Sequence, residues 1–447
     1  MSVESSAIVF RGVRVFDGRD PALTGPSDVV VRGTTIESLG PAASEPVSPG
    51  PALRVIEGRG RVLMPGLIDA HWHTTFAAVP TAVALTADPG YLHLMAGKEA
   101  ERTLLRGFTS VRDAGGPSFA LKRAIDEGAI AGPRIYPSGA FITQTAGHGD
   151  FRMRNEVPRA CGSLSHGEVT GASTIADGVD QVLRAVREQL LLGASQIKVM
   201  AGGGVASPYD PIDVTQYTEA ETRAAVEAAE NWGTYVMVHA YTPRAISQAI
   251  RAGVRCIEHG HLADDPSAQL MAETGSWWSL QPFLDDEDAH AIPDPAGRAK
   301  QLQVIAGTDS SYTLARKHGV KVAWGSDILF DASLASRQGR QLAKMTRWYT
   351  PAEVLASATS GNADLLALCG PRNPYPGRLG VVEPGALADL LLVDGDPIAD
   401  IDLLADPDRS LSVIMKDGRI HKDLTPSKDA DGVGGHDGGD GKPFGPP

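Results

Sequence analysis

The feature that most narrows what this chain can fold into is a rhythm. Six times in its middle an amphipathic run ends at a glycine and a short apolar run follows. Arg106-Gly107 precedes Phe108-Thr-Ser-Val111, Leu192-Gly193 precedes Gln196-Ile-Lys-Val-Met200, and Trp232-Gly233 precedes Tyr235-Val-Met-Val-His239. Ala252-Gly253 then precedes Cys256-Ile-Glu-His259, Thr274-Gly275 precedes Trp277-Trp-Ser-Leu280, and His318-Gly319 precedes Lys321-Val-Ala-Trp324. Glycine just past a helix end takes the left-handed cap conformation without the steric cost of a Cβ. With an apolar strand at Leu63 to His71 and another at Arg134-Ile-Tyr-Pro-Ser138, the expected strands number eight, and repeated helix-to-strand units of that number imply an α/β (β/α)8 TIM barrel. The run Val179, Val182, Leu183, Val186, Leu190 has the three-and-four spacing of a barrel's outer helices. A doubly wound sheet would want a phosphate-binding glycine fingerprint after its first strand. Gly202-Gly203-Gly204 instead follows a later strand, with no helix directly behind it.

The flanks read differently. Residues 7–64 alternate apolar and polar in short runs, among them Ile8 to Phe16 and Asp28-Val-Val-Val-Arg32, broken by Gly and Pro turns. The texture returns in Gly380-Val-Val-Glu-Pro-Gly385, Ala388 to Asp394 and Ser412 to Ile420. The expected layout is a small composite β-sandwich domain from residues 1–64 and 376–422, a barrel over 65–375, and a disordered Gly, Asp, Lys and Pro tail over 423–447. With 447 residues, 42% of them hydrophobic, the chain can supply a barrel of roughly 250 residues and a smaller unit.

A net charge of −13 without clustered Lys and Arg argues against a nucleic-acid partner. No run reaches the roughly 18 to 20 apolar residues that span a bilayer, and Met1 to Phe10 lacks the features of a signal peptide, so the expected location is cytoplasmic, with no membrane partner. Cys161, Cys256 and Cys369 are too few and too scattered for a disulfide framework or thiolate site; they read as reduced thiols, Cys256 in the core. His93 and His166 read as surface loop residues.

Barrel enzymes keep their chemistry at the C-terminal ends of the strands. Here the first strand ends in His71-Trp72-His73, the fourth carries Lys198, the fifth ends in His239, the sixth in His259, and the eighth runs into Gly325-Ser326-Asp327. Alternation puts His71 and His73 on one side of an extended chain, where two imidazoles can grip one ion, and zinc suits them. An ammonium inside an apolar strand, as at Lys198, is expensive unless paired or chemically changed.

These signatures, with Pro65-Gly-Leu-Ile-Asp-Ala70 before the first histidines and Pro384-Gly-Ala-Leu-Ala-Asp-Leu390 near the end, resemble the amidohydrolase superfamily in its binuclear, lysine-bridged form. The resemblance implies that His71, His73 and Asp327 hold one divalent ion, that His239 and His259 hold a second, and that a carboxylated Lys198 bridges them. Zinc is favoured, with manganese or cobalt as substitutes. A metal-bridged hydroxide is then the implied nucleophile, Asp327 its proton acceptor and later donor, and Tyr241 a donor to the oxyanion.

Within the superfamily, Ile197 to Pro208, His239-Ala-Tyr-Thr-Pro243 and Gly147-His-Gly-Asp-Phe-Arg152 resemble the prolidase-like and imidazolonepropionase-like branch. Its members cleave Xaa-Pro and other dipeptides or N-acyl amino acids, ochratoxin among them. The implied substrate is a small amide or dipeptide with a free carboxylate, received by His148 and Arg152. His261 stands where asparagine or threonine is expected, close enough to compete as a ligand or to touch substrate, and reads best as a group behind the ligands. Ring opening of a cyclic amide or imidazolone, or deamination, is the alternative, and a non-catalytic barrel the third reading. The resemblance also implies a homo-oligomer, of which an octamer is one form.

Overall fold

The computed structural model describes residues 7–42, 53–156, 158, 162–207, 209–289 and 291–425. Cys161 and the tail from 426 onward lie outside the described residues.

Five strands open the chain: β1 (Ala7–Val15), β2 (Ser27–Arg32), β3 (Thr35–Pro41), β4 (Leu53–Glu57) and β5 (Val62–Pro65). Among the described residues ten more follow: β6 (Leu67–Trp72), β7 (Phe108–Asp113), β8 (Arg134–Tyr136), β9 (Phe141–Thr143), β10 (Ser173–Ile175), β11 (Ile197–Met200), β12 (Val236–Ala240), β13 (Cys256–His259), β14 (Trp277–Leu280) and β15 (Lys321–Trp324). Three close it: β16 (Leu390–Val393), β17 (Leu411–Lys416) and β18 (Arg419–Asp423).

The two ends share one eight-stranded sheet, in the order β18-β17-β16-β5-β1-β2-β3 with β4 beside β1. The seam is the antiparallel pair β16 and β5, which sets Leu390 opposite Pro65 and Val393 opposite Val62. Alternation gives the late strands two apolar faces. Leu390, Leu392, Val413 and Met415 pack with Val13, Val29 and Ile36, whereas Leu391, Val393 and Ile414 join the large core around Phe108 and Trp324. Each such fully buried side chain contributes about 1.5–3 kcal/mol, so burial on both faces fastens this sheet to the middle of the chain. The expected strand texture at Gly380 to Gly385 is not a strand, although Val381 and Val382 are buried in the smaller core. At the other end, Asp423 closes β18 and the Leu424 N–H donates to the Ser412 carbonyl at 2.8 Å, so these two residues belong to the sheet rather than to the expected tail.

The middle strands are all parallel, in a seven-stranded sheet β10-β9-β11-β12-β13-β14-β15 and a three-stranded sheet β6-β7-β8. The expected first strand is in fact two, divided at Gly66: β5 serves the flanking sheet and β6 the parallel set. A Cβ at Gly66 would stand 2.1 Å from Thr109 Oγ1, so this corner admits only glycine. β9 and β10 were not anticipated, because three residues are too few to show a period. All six cap glycines have positive φ, from 63° at Gly319 to 100° at Gly253. The helix Val179–Leu192 buries Val182, Val186 and Leu190 together with Ala185 and Gln189, while Val179 is exposed. His93 lies within the helix Pro89–Leu105 and His166 begins the helix His166–Val169, so neither is a loop residue. Among the described residues no helix is long and apolar enough to cross a membrane.

Candidate active site

Strand alternation selects the site. Ile197 and Val199 of β11 face the helix-side core, which leaves Lys198 on the opposite face; Val236 and Val238 of β12 do the same for His239. In β6 the alternation has to break. Ile68 and Ala70 face the inner cluster with Met237 and Cys256, yet Trp72, of the same parity, packs outward with Ala100 and Ile135. The register of β6 against β7 slips between Asp69 and Trp72, and that irregularity turns His71 and His73 inward together.

Each imidazole is then aimed by a hydrogen bond on its other nitrogen. His71 Nδ1 meets Glu258 Oε2 at 2.7 Å and His73 Nδ1 meets the Gly115 carbonyl at 3.1 Å. Their Nε2 atoms stand 3.1 and 3.3 Å from the same oxygen, Oδ1 of Asp327. His259 Nδ1 meets Gln281 Oε1 at 2.8 Å, and His239 Nε2 meets the Gly203 carbonyl at 3.0 Å. The rings of His239 and His259 lie 4.6 Å apart, and those of His71 and His259 4.8 Å apart. Lys198, 1% exposed, lines the same cavity.

His259 and Asp327 hold φ of 69° and 53°, a left-handed backbone that costs a non-glycine residue about 1–3 kcal/mol. Neighbouring groups enforce it. The Asp327 N–H donates to the His71 carbonyl at 2.8 Å, and the Trp278 indole donates to the His259 carbonyl at 2.8 Å. Buried Asp69 accepts from the Ser326 N–H at 3.1 Å, its hydroxyl at 2.6 Å and Gln338 Nε2 at 2.9 Å, which ties the end of β15 to β6.

Sequence reasoning missed Asp69, Glu258 and Arg112. Arg112, fully buried in β7, donates to both Glu258 oxygens at 2.7 and 2.8 Å, to the Ala70 carbonyl at 2.6 Å and to Tyr235 Oη at 3.2 Å. Burial pushes the Glu258 carboxyl up, but Arg112 and His71 outweigh it and hold it well below the usual range. The signal was present, since the expense of a charge in an apolar strand that singled out Lys198 applies equally to Arg112 and Glu258. Cys256 is in the core as expected, its thiol 2.9 Å from Glu258 Oε1.

The site's own charges are set by burial. It lowers Lys198, and it lowers His239 and His259 well below the ordinary imidazole value, with neighbouring cationic groups adding to the effect. For Asp327 burial acts upward and is overcome by His71 and His259, which leaves the carboxylate firmly ionised. Burial also lowers His71, yet Asp327 and Glu258 leave it raised. The result is two imidazoles held neutral, His239 and His259, beside one amine of reduced basicity and one carboxylate.

The cavity above this cluster is about 460 Å³. Tyr241 lines it with its ring 4.9 Å from His239 and 5.3 Å from His259, and burial raises its phenol well above the ordinary value. His148 lines it too, stacked 4.2 Å from His239 and held by Ser207 Oγ at 2.6 Å and Asp210 at 3.3 Å. The glycine run explains itself here, because a Cβ at Gly204 would lie 2.0 Å from the His148 ring and one at Gly203 1.8 Å from the Pro211 carbonyl oxygen. Two expected substrate contacts are not brought in. Arg152 turns its fork onto Asp150, Nε to Oδ1 at 2.8 Å and Nη2 to Oδ2 at 2.6 Å, and lines a smaller neighbouring cavity. His261 is buried behind the wall, donating to or accepting from nothing in the cavity: its Nε2 meets the Gln281 carbonyl at 2.9 Å, its ring stacks on Phe283, and burial lowers its pKa to about 4.

The residues present fit a metal ion. His71, His259 and Asp327 each offer a ligand atom within 4.8 Å of the others, and buried His71 Nε2 and Asp327 Oδ1 face each other at 3.1 Å. A buried imidazole aimed by a carboxylate on its far side is the arrangement metal-binding histidines adopt.

Comparison with known proteins agrees with the geometry. The amidohydrolase family model matches residues 62–421. Ochratoxinase from Aspergillus niger is 32% identical over 383 residues, 81% of this chain and 76% of that protein. A prolidase solved with N-methylphosphonate-L-proline is 36% identical with a TM-score of 0.84, covering 94% of this chain and all of that one. A Xaa-Pro dipeptidase solved with bound methionine is 28% identical with a TM-score of 0.80, covering 93% of this chain and all of that one. The chain belongs to the amidohydrolase family and is a hydrolase acting on carbon–nitrogen bonds.

Proposed function

We propose that this protein hydrolyses the amide bond of dipeptides, Xaa-Pro among them, or of N-acyl amino acids, and releases an amino acid with a free carboxylate. The observation that carries the reading is the convergence of His71, His73, Lys198, His239, His259 and Asp327, from five separate strand ends, on one cavity. The two parallel sheets are taken as arcs of one (β/α)8 barrel over residues 65–375, and the composite sheet from 1–64 and 376–422 as the small sandwich domain. In that barrel His71, His73 and Asp327 would hold one divalent ion and His239 and His259 a second, with Lys198, carboxylated on its weakly basic amine, between them. Zinc suits this imidazole-rich set. Such ions, when bound, lower the pKa of water to about 7 and polarise a carbonyl.

The chain's own residues do the rest. Asp327, ionised and held by its N–H to β6, accepts the proton of the attacking water and delivers it to the departing nitrogen. Tyr241, kept protonated by burial, donates to the oxyanion that forms as the carbonyl becomes tetrahedral. His148 receives the substrate carboxylate; Arg152, committed to Asp150, does not. Relatives named for the release of amino acids from dipeptides and from ochratoxin support the same bond type.

The test is a panel of dipeptides and N-acyl amino acids assayed beside metal analysis of the purified protein. About two transition-metal ions per chain with hydrolysis of at least one class is the expected result. One ion per chain with ring opening or deamination instead would replace this reading with the cyclic-amide alternative.

A further inference from the structure

Next to the metal-lined cavity lies a second, of about 210 Å³, whose walls the chemistry above does not use. Thr81, Phe141, Phe151, Ala206 and Phe330 belong to both cavities, and the Phe141 ring stands 5.7 Å from that of His73. The walls are aromatic: Phe76 and Phe330 pair at 6.0 Å, Phe141 and Phe151 at 6.2 Å, and Ala84, Leu85 and Ala172 complete the lining. An apolar cavity of about 150 Å³ accepts benzene, so this one has room for a substituted ring.

Its polar groups select further. Arg152 and Asp150, at its edge, neutralise each other and offer no charge to a ligand. His166 also lines it, and His166 Nε2 is buried with no hydrogen-bond partner among the described residues. Native interiors rarely leave such an atom unsatisfied without a use for it.

We infer that this second cavity is a subsite for an uncharged aryl group of the substrate bearing one hydroxyl or carbonyl substituent that hydrogen-bonds His166. The inference rests on the hydrolase reading and narrows its substrate class. Either half of the amide can carry the ring, and two substrate series distinguish them. N-acetylalanine, N-benzoylalanine and N-(2-hydroxybenzoyl)alanine vary the acyl half; glycylalanine, glycylphenylalanine and glycyltyrosine vary the amine half.

In one series the ring-bearing members should exceed the small member at least tenfold in kcat/KM. Ala172→Leu, which fills the cavity, should remove that advantage while leaving the small member within twofold. His166→Leu should erase the preference for the hydroxylated ring over the bare one and leave the bare ring unchanged. Hydrolysis of the small members with no aryl preference in either series overturns the subsite while sparing the hydrolase, as does an Ala172→Leu loss equal for small and aryl substrates. Cleavage of no member, with an Xaa-Pro dipeptide also left intact, overturns the dipeptide and N-acyl amino acid reading itself. Should Ala172→Leu fail to fold, the native series and His166→Leu decide.

Discussion

Arg112→Met tests whether the buried charge pair beneath the site both stabilises the fold and aims a ligand. Arg112 and Glu258 are fully buried, and the guanidinium donates to both oxygens of that carboxylate. Removing one partner of such a pair costs about 3–5 kcal/mol, because the other is left charged and unsolvated; total stabilities are about 5–15 kcal/mol, so the loss should be plain in a urea midpoint. The sign with pH follows from the same groups. In the native protein the carboxyl lies well below its ordinary 4.5, so its contribution is complete above that value and is lost as pH falls beneath it. Without Arg112 only His71 and Lys198 oppose burial, which acts upward and is the largest influence, so the carboxyl should rise; a carboxyl raised above its unfolded pKa contributes below that value and loses that contribution as pH rises. The deficit of Arg112→Met against the native protein should therefore be larger at pH 8 than at pH 5. Adding Glu258→Leu should recover most of the stability, since no lone charge remains. It should not recover metal binding, because His71 Nδ1 has then lost its partner and such losses weaken affinity about 10–100-fold. A deficit below about 1 kcal/mol, or one equal at both pH values, refutes the argument.

Lys198→Ala should lower metal content and nearly abolish hydrolysis, with partial rescue by added short carboxylic acids; unchanged turnover contradicts the bridging role. His148→Ala should raise KM for free-carboxylate substrates and leave their esters little changed, whereas Arg152→Ala, which frees only Asp150, should leave both nearly unchanged. Gly204→Ala, whose Cβ would stand 2.0 Å from the His148 ring, should reproduce the His148→Ala effect on KM; an unaltered KM would separate that ring from carboxylate binding. Chelation should abolish activity and lower the unfolding temperature, both restored by zinc.

What could be read from the sequence was whatever repeats or alternates. The six cap glycines announced themselves by recurring before apolar runs, and each has the positive φ that its position demands. The apolar-flanked Lys198, the paired His71 and His73 and the terminal His239, His259 and Asp327 were legible because strand ends are where a barrel keeps its chemistry, and all line one cavity. Arg152 stands outside the main cavity for a reason a sequence hides: a carboxylate two residues earlier, Asp150, is near enough to pair with its fork. His166 was misjudged because its neighbours, Ser165 and Glu168, form the capping box of a short helix that carries it against a cavity.

The deeper gap lies where the site departs from regular strand geometry. Simple alternation along β6 would place Ile68, Ala70 and Trp72 on one face and His71 on the other with Asp69; only the irregularity before Trp72 brings both histidines inward. Likewise Cys256 and Glu258 share one parity in β13, and His259 reaches the same cavity only through its left-handed φ of 69°. Nothing in the residue types foretells either turn, because histidine and aspartate are not what a positive φ favours over glycine. These conformations persist because Asp69, Trp278 and the His71 carbonyl hold them through hydrogen bonds from other strands. The sequence thus discloses which polar side chains line the cavity, while their convergence depends on three local irregularities that distant buried polar groups keep in place.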